Sequence, residues 1–144
     1  MAIAEETKQK LFEKALTARE TSYSPYSKFR VGAALLMSDG TIFQGKYSVP
    51  FQTVRAANSL YIQVAMLRMP RTSEGRKDFV ALAVSTDQDD HISPCGICRQ
   101  FLSEFLETST PVYLLTKDGQ SLDLTMGQLL PYSFGLEQGK KYIL

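Results

Sequence analysis

Cys95 and Cys98 are the only thiols in a chain of 144 residues, and they stand in the spacing C-x-x-C. Thiolates so placed can bind a metal or act as nucleophile or base. Pro94 precedes them where a helix can begin. Residues 95 to 106 carry Phe101, Leu102, Phe105 and Leu106 at helical spacing. Both cysteines therefore fall at the start of a helix, whose partial positive charge stabilises thiolate. The sole histidine, His91, reads as an exposed loop residue rather than a ligand. From residue 21 to residue 73 there is no Cys, His or Glu, and the only carboxylate is Asp39. A catalytic zinc needs three protein ligands and an open position for water. Two thiolates alone do not complete that set, so the expectation is no metal ligand set and no cofactor, zinc included.

The elements that must hold these residues follow from hydrophobic period. Residues 5 to 20 predict an amphipathic helix with Leu11, Ala15, Leu16 and Ala18 on its apolar side. Residues 29 to 37 and 41 to 48 predict two strands joined by the turn Ser38-Asp39-Gly40. Val54, Ala57, Leu60, Tyr61, Val64, Ala65 and Leu67 recur at helical spacing, and Pro70 closes that helix. Phe79 to Val84 reads as a buried strand and Val112 to Leu115 as another. A turn at Lys117-Asp118-Gly119 and a short helix near residues 125 to 130 complete the order α-β-β-α-β-α-β. Such an order gives a mixed sheet with helices on its faces, in one domain spanning 1–144.

Composition excludes several classes. Lys and Arg number 16 against 15 acids, a net charge of +1 that leaves no footprint for nucleic acid or an anionic membrane. No stretch approaches the roughly 18 apolar residues of a membrane helix. The N-terminal residues show no basic segment followed by an apolar run, so a cytoplasmic protein with reduced cysteines is expected.

Three stretches carry a family resemblance. They are Ser24-Pro25-Tyr26-Ser27-Lys28-Phe29-Arg30-Val31-Gly32-Ala33-Ala34, Ser93-Pro94-Cys95-Gly96-Ile97-Cys98-Arg99-Gln100, and Leu129-Leu130-Pro131-Tyr132-Ser133-Phe134-Gly135. In kind, order and separation they resemble the small, nucleoside-salvage cytidine deaminases over nearly the whole chain. The resemblance implies a three-layer α/β/α sandwich with a mixed five-stranded sheet. It implies a homotetramer with a small-molecule pocket between subunits, Phe29 lining the base pocket and Phe134 reaching a neighbour's site. It implies a zinc-activated water, with a glutamate moving protons.

Against that pattern the first zinc motif is altered. One register places Asn58-Ser59-Leu60 at the ligand-x-Glu position, and another places Ala56-Ala57-Asn58 there. The sugar-gripping segment corresponds to Tyr47-Ser48-Val49-Pro50, so Tyr47 and Val49 replace an asparagine and a glutamate. Tyr61 stands where the family often has arginine. Phe29, Val49, Leu60, Tyr61 and Phe134 are thus expected to line a less polar pocket. Cys95 and Cys98 are the candidate reactive groups, with Asn58 and Tyr47 positioning the substrate. The functional expectation is a repurposed, non-hydrolytic enzyme acting on a small, less polar molecule, in a biosynthetic setting. The alternatives are a binding or regulatory pseudoenzyme, and a surviving zinc deaminase.

Overall fold

The computed structural model describes residues 3–20, 30–45, 79–94 and 96–134, and the description below concerns those residues. The first helix, α1, spans Glu5–Glu20. Glu5 and Glu6 in its first turn and Arg19 in its last complement the helix dipole. Its buried face carries Leu11, Phe12, Ala15 and Ala18, at the three- and four-residue spacing that makes one helical stripe.

Strands β1 (Val31–Met37), β2 (Ile42–Gly45), β3 (Phe79–Thr86), β4 (Pro111–Leu115) and β5 (Ser121–Thr125) form one sheet in the order β2-β1-β3-β4-β5. β1 and β2 are an antiparallel hairpin through the turn at Gly40, whose φ of 87° suits glycine. β1 also runs antiparallel to β3, and β4 to β5. Only β3 and β4 are parallel, with Leu82 opposite Val112 and Val84 opposite Leu114. A parallel neighbour requires a crossover, and the helix α2 (Gly96–Phe105) lies in it. A short helix, α3 (Met126–Leu129), follows β5 directly, with Thr125 and Gln128 forming a reciprocal capping box.

Period-two alternation divides the core between the two faces of the sheet. Ala34, Leu36, Ala81, Ala83, Tyr113 and Leu115 meet Leu11, Phe12 and Ala15 of α1. Ala33, Leu35, Leu82, Val84, Val112 and Leu114 meet Cys98, Leu102 and Leu106, with Met126 and Leu129. The result is the expected α/β/α arrangement around a mixed five-stranded sheet.

Three boundaries differ from expectation. β1 begins at Val31 rather than at residue 29, because the Arg30 N–H is bonded to the Asp87 carboxylate instead of a neighbouring strand. β3 runs on to Thr86, where Ser85 and Thr86 are buried despite being polar. β5 was not anticipated from period at all. Its Ser-Leu-Asp-Leu-Thr is a short edge strand with Leu122 exposed, so the apolar signal is weak. The expected central helix between residues 54 and 67, and residues 46–48 of the second strand, lie outside the described residues.

Candidate active site

In open α/β sheets ligands bind beyond the carboxyl ends of the parallel strands, where the chain crosses between layers. Here that place is the end of β3, the loop 87–94 and the N-terminus of α2. The loop carries Asp87, Asp89, Asp90 and His91, and His91, Ile92 and Ser93 are exposed. Cys98 lies in the first turn of α2 and is 0% exposed, packed into the cluster that holds Val84, Leu102 and Leu106. Helical period places it there, since Cys98, Leu102 and Leu106 are spaced by four and share one stripe.

Two side chains next in sequence tie α2 to the C-terminal motif. Arg99 donates from Nη1 to the Leu129 carbonyl at 3.3 Å, while its buried Nε has no hydrogen-bond partner among the described residues. Gln100 donates from Nε2 to the Phe134 carbonyl at 3.4 Å. The described part of that motif, through Phe134, is thereby held against α2. Phe134 itself is 61% exposed and Tyr132, at a φ of 57°, is fully exposed.

On the other flank of β3, one carboxylate gathers three chain ends. Asp87 accepts from the Arg30 backbone N–H at 3.0 Å and from Arg30 Nε at 2.8 Å, both at Oδ2. Its Oδ1 accepts from Arg30 Nη2 at 3.1 Å, and Arg19 Nε stands 3.5 Å from the same oxygen. Arg19, buried, donates from Nη1 to the carbonyls of Thr86 and Lys117, and from Nη2 to Glu20. Glu20 in turn accepts from Arg30. The Arg19 hydrogen bond, aided by the charges of both arginines, holds the Glu20 carboxyl below its ordinary value. The bond to Asp87 raises Arg30, whose guanidinium is charged in any case.

Of the residues expected at the site, Cys98 lies in α2 and Phe134 is held to α2 through its carbonyl. Phe29, Tyr47, Val49, Asn58, Leu60, Tyr61 and Cys95 lie outside the described residues. Among the described residues no three His, Cys, Asp or Glu groups stand together as a metal set. Sequence reasoning passed over Arg19, Arg30 and Asp87. Arg30 sat inside a quoted motif, and Asp87 in an acidic loop that reads as solvated surface; only their pairing in space gives them weight.

The chain matches the family described as "Cytidine and deoxycytidylate deaminase zinc-binding region" over residues 5–114. This chain belongs to that family. It is 41% identical to a cytidine deaminase of Sporosarcina psychrophila, over 90% of this chain and 92% of the relative. It is 39% identical to a cytidine deaminase of Halalkalibacterium halodurans, over 90% of this chain and 96% of that one. The crystal structure of cytidine deaminase from Burkholderia pseudomallei superposes with a TM-score of 0.71 at 33% identity, covering 92% of this chain and all of the other.

These relatives correct two expectations. The first is a repurposed, non-hydrolytic enzyme: full-length relatives at this identity bear the name cytidine deaminase, which points to ordinary deaminase function. The second is the absence of zinc: the matched family is described by its zinc-binding region. The physical reason lies in how the absence was inferred. The expectation rested on the absence of Cys, His and Glu between residues 21 and 73 as well as on two disagreeing registers, whereas a ligand set closes in three dimensions and can draw donors from outside one stretch. A donor missing from an aligned position is not thereby missing from the site. No described helix is long and apolar enough to cross a membrane.

Proposed function

We propose that this chain is a zinc-dependent deaminase of cytidine-type nucleosides. The observation that carries the reading is the 41% identity to a cytidine deaminase across 90% of the chain, with the C-x-x-C helix placed at the end of the only described parallel strand pair. Cys95 and Cys98 would hold the metal as thiolates, the ligand type zinc favours. When bound, zinc supplies Lewis acidity that makes water available as a nucleophile near neutral pH. The burial of Cys98 supports a ligand over a nucleophile, because a thiol packed among Leu102 and Leu106 offers no open side to a diffusing electrophile.

Phe29 and Phe134 are proposed as aromatic walls for the base, Tyr47 and Asn58 as polar groups beside the substrate, and Val49, Leu60 and Tyr61 as the remaining lining. Exposed Tyr132 and Phe134 support a homo-oligomer, taken here as a tetramer in the cytoplasm, since large aromatics left open on one segment mark an association surface. The donors fit the metal in part: two thiolates are supplied, while residues 21 to 73 offer no Cys, His or Glu as a third ligand or proton carrier. Zinc content is therefore measured together with turnover. Purified protein is assayed for ammonia release from cytidine and for metal by elemental analysis. Turnover with about one zinc per chain, the stoichiometry of a single three-ligand site, is the expected result. Absence of both turnover and zinc would overturn the proposal.

A further inference from the structure

Arg99 follows Cys98 directly, in the first turn of α2. Its Nη2 lies 4.0 Å from the point that a Cβ on Gly96 would occupy, so the guanidinium folds back over that turn. From there Nη1 reaches across to the Leu129 carbonyl at 3.3 Å, the one side-chain hydrogen bond of Arg99 among the described residues. Leu129 is the last residue of α3, and the last carbonyls of a helix have no partner within it. A long cationic side chain suits such a carbonyl. Met126 and Leu129 of the same helix pack in the apolar cluster that holds Cys98 and Leu102. The joint between α2 and α3 is therefore apolar within and closed by one guanidinium, and Cys98 takes part in it.

We propose that Arg99 is a positioning residue for Cys98: by tying the first turn of α2 to the end of α3 it fixes where the Cys98 thiol is presented. The role rests on the deaminase reading, in which Cys98 serves as a zinc ligand. Arg99 acts through the helix and touches no reacting atom. Cys98 and Arg99 share one helical turn, so a turn released from Leu129 carries the thiol with it. Removing a group that orients a metal ligand costs about 10–100-fold in metal affinity or activity.

Arg99→Met and Arg99→Lys are the tests. Methionine keeps an apolar stem and removes every donor, whereas lysine keeps the charge and a donor but loses the planar fork. Full-length wild type and both variants are compared in zinc affinity, by competition with a chelator, in hydrogen exchange and in urea unfolding. Arg99→Met is expected to bind zinc about tenfold more weakly or worse. Exchange accelerates at the Leu102 amide, which a regular helix bonds to the Cys98 carbonyl, and at the Leu130 amide, which donates to the Met126 carbonyl. β3 and β4 keep their protection, and Arg99→Lys falls between wild type and Arg99→Met. A merely structural role would lower the urea midpoint and leave the zinc affinity of the folded protein unchanged. Unchanged zinc affinity in folded Arg99→Met, or unchanged exchange at both amides, overturns the role of Arg99 alone. Should Arg99→Met fail to fold, Arg99→Lys decides by the same two readouts. A wild type that binds no zinc overturns the deaminase reading and, with it, this role.

Discussion

Replacing Gly32 by alanine should destabilise the protein although it adds a single methyl. A Cβ at that position would lie 2.3 Å from the Ala15 carbonyl oxygen, 2.3 Å from the Arg19 nitrogen and 2.9 Å from the Ala18 carbonyl carbon. All three atoms are helix backbone, so no side chain can swing aside. Restoring ordinary contact requires α1 to withdraw from β1 by about 1 Å, given optimal separations of roughly 3.5 Å. That withdrawal loosens Leu11, Phe12 and Ala15 against the sheet, an overpacking penalty of about 1–3 kcal/mol. It also stretches the bond from the buried Ser85 hydroxyl to the Ala15 carbonyl, now 2.8 Å, which is worth about 1 kcal/mol. Alanine restricts the unfolded chain and returns about 0.4–1 kcal/mol. The net expectation is a loss of about 2–3 kcal/mol, a large share of a typical stability of roughly 5–15 kcal/mol. Equilibrium urea unfolding followed by circular dichroism, at matched protein concentration, measures it. A loss below about 0.5 kcal/mol, inside the ordinary range for exposed substitutions, would refute the reasoning and mean that α1 accommodates the methyl by sliding.

Further outcomes follow from the same contacts. Cys98→Ser should lose bound zinc and reduce deamination by more than about a hundredfold, beyond what altering a ligand's supporting bonds costs; metal analysis with single-substrate kinetics checks both. Glu20→Gln should lower stability at pH 7, and the difference from wild type should shrink as pH is taken down below the ordinary value of 4.5. A carboxyl held below its ordinary value of 4.5 stabilises the fold above that value and loses its contribution as pH falls through the lower, folded value. Because Glu20 is half exposed, the effect is small, and paired melts at pH 7 and below pH 4.5 reveal it. Replacing Tyr132 and Phe134 together by serine should shift the protein toward smaller species in light scattering while leaving the far-ultraviolet spectrum intact.

The sheet was legible in the sequence wherever burial was one-sided or complete. Leu35 and Leu82 sit in unbroken apolar runs, and their strands were located to within a few residues. β5 escaped because an exposed edge strand places Leu122 in solvent and leaves no alternation to read. Cys98 was correctly placed at the head of a helix, since helix starts depend on local signals such as Pro94. The Asp87 cluster was illegible for the opposite reason: Arg19, Arg30 and Asp87 are separated by up to 68 residues, and only the β1–β3 register brings them together. Function was misjudged at the same kind of boundary, where a site assembled from distant segments was inferred from one of them.

The position of Cys98 bears on which chemistry the cysteines can serve. A thiolate nucleophile must meet its electrophile from solvent or from an open pocket, so reactive cysteines are partly exposed. A zinc ligand has no such need, since the metal can occupy a closed space between helix and neighbouring chain while the thiolate stays packed. Cys98 is 0% exposed in the described structure, with Leu102 and Leu106 below it on the same helical stripe. Turning it toward a diffusing electrophile would rotate that stripe away from Val84 and Val112 and forfeit the burial that holds α2 to the sheet. Binding a metal at the head of α2 leaves the stripe in place. The packing that makes Cys98 a poor nucleophile is therefore compatible with its service as a ligand, as the deaminase reading requires.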